Sequence, residues 1–225
     1  QVDKWFDVAL VRNSGVFTLY VNGAKEASYS GGVTIDYNTA VMYFGRDTIV
    51  TKANGGYLTG YMNNIRITRY ARYLSSEDSI DVPTSAFIYD YYSTLDKVDI
   101  LNDGSGLALY RLNYDAKDSG GLYDASATSV TYSTETDPMA LMYKPMFEQF
   151  AQVSTSSILN FTSLANYFGT NQNLPFSMSC WIRRVSTTDT FFYFGDNNNG
   201  VNGINITPGG NIKGKRTSIT TDNFM

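Results

Sequence analysis

The 225-residue chain has no histidine and a single cysteine, Cys180. Without imidazole there is no serine–histidine base, no histidine-ligated zinc and no histidine phosphate acceptor. One thiol forms neither an internal disulfide nor a cysteine metal cluster. Oxygen ligands, and with them hard cations such as calcium, are the metal chemistry left open. Long apolar runs are also missing. Asn, Asp, Gly and Ser interrupt every hydrophobic stretch short of the ~20 residues that a membrane-spanning helix needs, so a soluble chain with no membrane insertion is expected. Basic residues are too few for a nucleic-acid partner: 17 Lys and Arg against 21 Asp and Glu leave a net charge of −4. The opening Gln1-Val-Asp-Lys-Trp5 lacks an initiator methionine and the basic and apolar regions of a signal peptide, and reads as the start of a processed or partial chain.

What the chain does have is alternation. Phe17, Leu19 and Val21 alternate with Val16, Thr18 and Tyr20, and then meet Asn22-Gly23, whose tolerance of positive φ suits a tight hairpin. With Asp7–Arg12 ahead of Asn13-Ser14-Gly15, these turns alone predict three antiparallel strands. Further strands are expected at Val41–Phe44, Tyr57–Met62, Asn64–Thr68, Leu107–Leu112, Phe191–Phe194, Ile204–Ile206 and within Asn211–Thr220. The cleanest alternation sets Phe176, Met178, Cys180 and Ile182 against Ser177, Ser179, Trp181 and Arg183. A short helical turn is predicted at Ser75–Asp78, stopped by Pro83. Nothing else shows a sustained 3.6-residue period, so the fold class is all-β, an antiparallel β-sandwich.

Two short strings recur. Tyr43-Phe-Gly45 returns as Tyr193-Phe-Gly195 (193 − 43 = 150), and Val21-Asn-Gly23 returns as Val201-Asn-Gly203 (201 − 21 = 180). A tandem duplication would give one offset, so these are shared strand-turn chemistry.

Two sets of motifs resemble the laminin G-like members of the concanavalin A-like lectin/glucanase superfamily, as found in phage virion and tail-fibre proteins. Trp5–Arg12, Leu19–Gly23, Tyr43–Arg46, Gly60–Ile67 and Arg72-Tyr73 are similar to the later half of such a jelly-roll domain. Asn102–Tyr110, Asn113–Asp118, Phe176–Arg183 and Phe192–Asp196 are similar to the earlier half of another. The resemblance implies residues 1–88 as the back of one sandwich, 89–97 as an aromatic linker, and 98–225 as the front of a second. Flanking sequence of a longer protein is expected to supply the missing strands, with an identical neighbour or a permuted arrangement joining 1–88 to 98–225 as the alternatives.

Function is less sharply marked. Related glycanases carry a Glu-x-Asp-x-Glu strand with alternate carboxylates in the cleft, and this sequence has no such run; Glu77-Asp78-Ser-Ile-Asp81 has the wrong spacing and reads as cap and surface. No catalytic residue and no cofactor are therefore expected. Calcium at a sandwich rim would draw on Asp103, Asp115, Asp118 or Asp196, although Asp is also an ordinary turn residue. Carbohydrate binding is assigned to the rim-like run Asp196, Asn197, Asn198 and Asn199. Arg183, Arg184, Lys213, Lys215 and Arg216 are read as a solvated face, with an anionic glycan or partner surface as the alternative, and Trp5 and Trp181 as core. The resemblance implies a non-enzymatic structural or adhesive protein of a phage virion. Its partners would be other virion or surface proteins, copies of itself, or host glycans; a lectin module of a secreted adhesin or of a glycan-degrading enzyme is the alternative.

Overall fold

The computed structural model describes residues 4–30, 40–46, 57–82, 107–112, 114–118, 123–133, 150–154, 156–161, 174–185, 192–196, 203–206, 212–216 and 219–220. Every strand pairing among them is antiparallel.

The expected meander forms at once: β1 (Trp5–Asn13), β2 (Val16–Val21) and β3 (Ala24–Tyr29). Asn22 at φ 48° and Gly23 at φ 79° make the turn between β2 and β3, the double left-handed conformation that Asn-Gly favours. Next come β4 (Ala40–Phe44) and β5 (Gly60–Thr68). The two strands expected around 57–68 are one element, in which Asn64 at φ 48° falls where the pairing with its neighbour shifts register. Ten further strands follow: β6 (Leu107–Tyr110), β7 (Ser126–Thr128), β8 (Thr131–Ser133), β9 (Phe150–Val153), β10 (Ile158–Asn160), β11 (Phe176–Arg184), β12 (Phe192–Asp196), β13 (Gly203–Ile206), β14 (Ile212–Arg216) and β15 (Ile219–Thr220).

Sheet I runs β3-β2-β1-β11-β5-β9-β8, with β6 beside β9 on the same flank of β5; sheet II runs β15-β14-β13-β12-β4-β10-β7. Strands from both halves of the sequence interleave in each sheet. Trp5 to Arg12 pair with Arg183 to Phe176, and Ala40 to Phe44 pair with Asp196 to Phe192. The described strands of 1–88 and 98–225 thus make up one sandwich, the permuted arrangement weighed above, instead of the back of one and the front of another. The reason is edge chemistry: β1 has β2 on one side and β11 on the other, so no backbone row of β1 is left to a neighbouring domain. Residues 89–97 lie outside the described set.

The core follows from alternation. Phe6, Val8 and Leu10 of β1, Phe17 and Leu19 of β2, Ile65 and Ile67 of β5, and Phe176, Met178, Cys180 and Ile182 of β11 join Met42, Phe44 and Leu159 of sheet II in one buried cluster. Each large side chain contributes about 1.5–3 kcal/mol of hydrophobic free energy. Tyr110 meets Phe161 edge-on at 4.5 Å, and Phe161 meets Phe44 at 5.0 Å, so aromatic contacts run from one sheet to the other.

The other face of sheet I is covered by the segment after β5. Ala9, Val11 and Tyr20 pack against Ala71, Tyr73 and Ile80. The Tyr20 hydroxyl lies 3.1 Å from the Leu74 carbonyl and 3.0 Å from that of Glu77. Lys25 Nζ donates to the Ser75 carbonyl and the Ser177 hydroxyl to that of Tyr70. The helical turn expected at 75–78 is a single tight turn, in which Glu77 N donates to the Leu74 carbonyl and Glu77 Oε2 accepts from Leu74 N. Tyr20 and Lys25 engage the carbonyls that a second helical turn would have used.

Candidate functional site

Of the expected glycan-binding run, the structure describes Asp196 alone, at the end of β12 in sheet II. Gly195 pairs with Gly203, so β12 and β13 form a hairpin whose tip follows Asp196; Asp196 itself pairs with Ala40 at the end of β12. Asn197, Asn198 and Asn199 lie outside the described residues. Asn160 at the end of β10 pairs with Ser126 at the start of β7, and these termini occupy the same end of the sheet.

The acids considered for calcium are used differently. Asp118 is buried; its Oδ1 accepts from Leu109 N at 3.0 Å and its Oδ2 from Tyr123 N at 3.3 Å. Its own amide donates to Asp124 Oδ1 at 3.0 Å. Asp118 is thereby a pin that joins β6 to the chain entering β7. Exposed Asp115 accepts from Lys117 N at 3.1 Å, the local turn role open to any aspartate. Asp103 lies outside the described residues. Among the described residues no group of three acidic or thiol side chains converges to hold a metal ion.

The basic pair separates along β11 as strand geometry requires. Arg183 stacks on Tyr61 at 5.2 Å, while Arg184 is buried beside Gly60, its register partner. A Cβ at Gly60 would run into the backbone of Arg183 and Arg184, so only glycine fits this crossing. Trp5 and Trp181 are buried, but outside the inter-sheet core: they cluster with Phe150 on the opposite face of sheet I, packed by Tyr61 and Val82. Trp5 meets Phe150 edge-on at 5.5 Å. The parity of β1 dictates this, because Trp5 alternates with Phe6 and Val8, which face sheet II.

Two arrangements were not legible in the sequence. Asp7 is buried on that same outer face, opposite Trp181 in register, with Oδ1 lacking a hydrogen-bond partner. Burial pushes its carboxyl up to about 7, against the opposing pull of Arg66. On sheet II, the Arg46 guanidinium lies 5.4 Å from the ring centre of Tyr43 and 5.5 Å from that of Tyr57, and Arg46 bridges to Tyr57. An Asp in a strand and an Arg after a glycine carry no special signal alone; the pairing partners create both settings.

Among the described residues no helix is long and apolar enough to cross a membrane. Neither the curated proteins nor the solved structures yield a match. A laminin G-type family model described as the concanavalin A-like lectin/glucanases superfamily does match, over residues 1–78. That match spans β1 to β5, and the antiparallel sheets built around it are those of an all-β sandwich.

Proposed function

We propose that this chain is a non-enzymatic adhesive or structural sandwich of a phage virion fibre, decoration or tail protein, which displays its rim hairpin to host glycans or neighbouring subunits. The supporting observation is the use made of the acids. Asp118 holds two backbone amides, Glu77 closes a turn, and Asp7 lies beneath the cover of sheet I. Structural employment of carboxylates suits a rigid scaffold that presents loops from its rim. The mechanism is display: interleaved strands fix Gly195 and Gly203 side by side, which anchors both ends of the connection between β12 and β13.

The test separates three outcomes. Stable association with tail or capsid subunits, without glycan binding, is expected of the structural role. Glycan-array binding that is lost in Asn198→Ala marks the lectin module of an adhesin instead. Turnover of a polysaccharide by the chain itself would sink both.

A further inference from the structure

On the outer face of sheet I an acid is enclosed. Asp7 is 1% exposed, sits between Trp5 and Ala9 on that face of β1, and stands opposite Trp181 in register. Its backbone groups are satisfied by the turn after β2: Asp7 N donates to Asn22 Oδ1 at 3.0 Å, and the Asp7 carbonyl accepts from Asn22 N at 2.9 Å. The side chain is not satisfied, because Oδ1 has no hydrogen-bond partner. A carboxylate buried in that state is strongly disfavoured, and the neutral acid is the form such a site tolerates.

Charged and titratable groups approach Asp7 from each neighbouring element. β5 brings Arg66, whose charge acts on the carboxyl. β11 brings Arg183, stacked on Tyr61, and on its opposite face Cys180, whose thiol feels the Asp7 charge. β2 and β3 bring Tyr20 and Lys25, both engaged by carbonyls of the segment after β5. That segment brings Glu77, which closes its own turn, and Asp78 and Asp81, which are exposed.

Residues 69–82 form the cover over this face. Ala71, Tyr73 and Ile80 pack on Ala9, Val11 and Tyr20, and Val82 packs on the cluster of Trp5, Phe150 and Trp181, so the cover spans Asp7 from both sides. These four cover residues are only half-buried, and Leu74, Ser76, Asp78, Ser79 and Asp81 are exposed. Backbone amides tie the cover down: Arg72 N donates to Ser177 Oγ at 2.7 Å, Lys25 N to the Asp78 carbonyl at 3.0 Å and Ile80 N to the Gly23 carbonyl at 2.8 Å. The inter-sheet core is built from other residues. Lifting the cover therefore hydrates Asp7 while the two sheets stay packed.

We infer that residues 69–82 are a pH-gated cover, which lies closed on sheet I while Asp7 is protonated and lifts as a unit when Asp7 ionises. Burial pushes the enclosed carboxyl up to about 7 from an ordinary 3.8. The closed form holds a proton that the open form releases, so the opening constant rises roughly tenfold per pH unit across that window and levels off above it. Near-neutral solution thereby uncovers Ala9, Val11, Tyr20 and Asp7, a face that acid keeps shut. The device belongs to sheet I and does not depend on what the connection between β12 and β13 contacts.

Native-state hydrogen exchange of the intact chain, from pH 4 to 8.5 and at low denaturant concentrations, tests it. Protection factors, corrected for intrinsic exchange, are compared between the amides of Lys25, Arg72 and Ile80 and those of β1 and β11. The cover amides are expected to lose protection on the order of 1,000-fold between pH 4 and 7, with a weaker denaturant dependence than the two strands. Asp7→Asn should make the cover's protection independent of pH. Tyr20→Phe should lower it at every pH and leave the slope unchanged. If Asp7→Asn does not fold, Arg66→Gln carries the test: loss of the opposing charge should move the window to higher pH, and an unmoved window counts against the gate. Protection of the cover that is independent of pH in the wild type overturns the inference. So does a slope that persists in folded Asp7→Asn, or one denaturant dependence shared by the cover with β1 and β11.

Discussion

The amide of Ile80 donates to the carbonyl of Gly23 at 2.8 Å, which ties the segment covering sheet I to the turn between β2 and β3. Gly23 has φ +79°, and a Cβ there would meet the Ile80 carbonyl and come within 2.9 Å of Val82 Cγ2. Gly15 has nearly the same φ, +80°, with nothing within 4 Å of such a Cβ. Gly15→Ala should therefore lose only the left-handed penalty, about 1 kcal/mol, and Gly23→Ala about 2–3 kcal/mol. Urea unfolding measures the difference, and equal losses would show that the latch carries no strain.

Removing the Tyr20 hydroxyl isolates the other half of that latch. Tyr20→Phe deprives the Leu74 and Glu77 carbonyls of their shared donor while keeping the ring against Tyr73. The expected cost is about 1–2 kcal/mol. Faster hydrogen exchange should be confined to residues 71–82, whereas acceleration throughout β1 and β11 would mean that the latch and the sheet open together.

These two predictions also mark what sequence could reveal. Asn22-Gly23 and the alternation of Phe176 to Ile182 are local patterns, and the structure places a left-handed turn and a core-facing strand there. The pairing of Val8 with Cys180 is not local. Alternation says which face a residue takes but not which distant strand lies beside it, so no local pattern joins β1 to β11. Asp7 is the same case for the site. Its burial comes from distant elements: Trp181 opposite it and the cover that packs Ile80 and Val82 on that face.

Asp7 should make stability fall as the solution moves from acid toward neutral. Its folded pKa is about 7 against an ordinary value of 3.8, so the native state holds a proton that the unfolded chain releases. Stability from this group is fully present below about pH 4 and declines as pH rises toward 7, by on the order of 4 kcal/mol. Asp7→Asn should flatten the profile across that window. Denaturant titrations at half-unit pH steps test this, and a wild-type curve that is flat or rising between pH 4 and 7 contradicts it.

Asp118 should behave as a pin and Asp115 as a surface residue. Asp118→Ala leaves the buried amide of Leu109 and that of Tyr123 without their acceptor, which costs about 2–4 kcal/mol. Asp115→Ala, at an exposed position, should stay within about 0.5 kcal/mol. If calcium restored stability to wild type stripped by chelator but not to Asp118→Ala, the pin would be a ligand instead.

Cys180 offers a readout of whether the interleaved sandwich opens as one unit. It is buried in the inter-sheet core, opposite Val8, and burial together with the nearby Asp7 carboxylate pushes its thiol well above the ordinary value. Because the thiolate is the reactive form, modification by a maleimide requires both exposure and deprotonation. In native buffer the rate should be suppressed at least ~1,000-fold relative to 8 M urea, and should follow global stability across the Gly23, Tyr20 and Asp118 variants. Rapid labelling of the native chain would show that β1 and β11 separate readily, as two independent half-sandwiches would. Labelling that is slow and scales with unfolding free energy instead requires β1 and β11 to part only when the whole core opens, the behaviour that follows from inward faces shared between strands so distant in sequence.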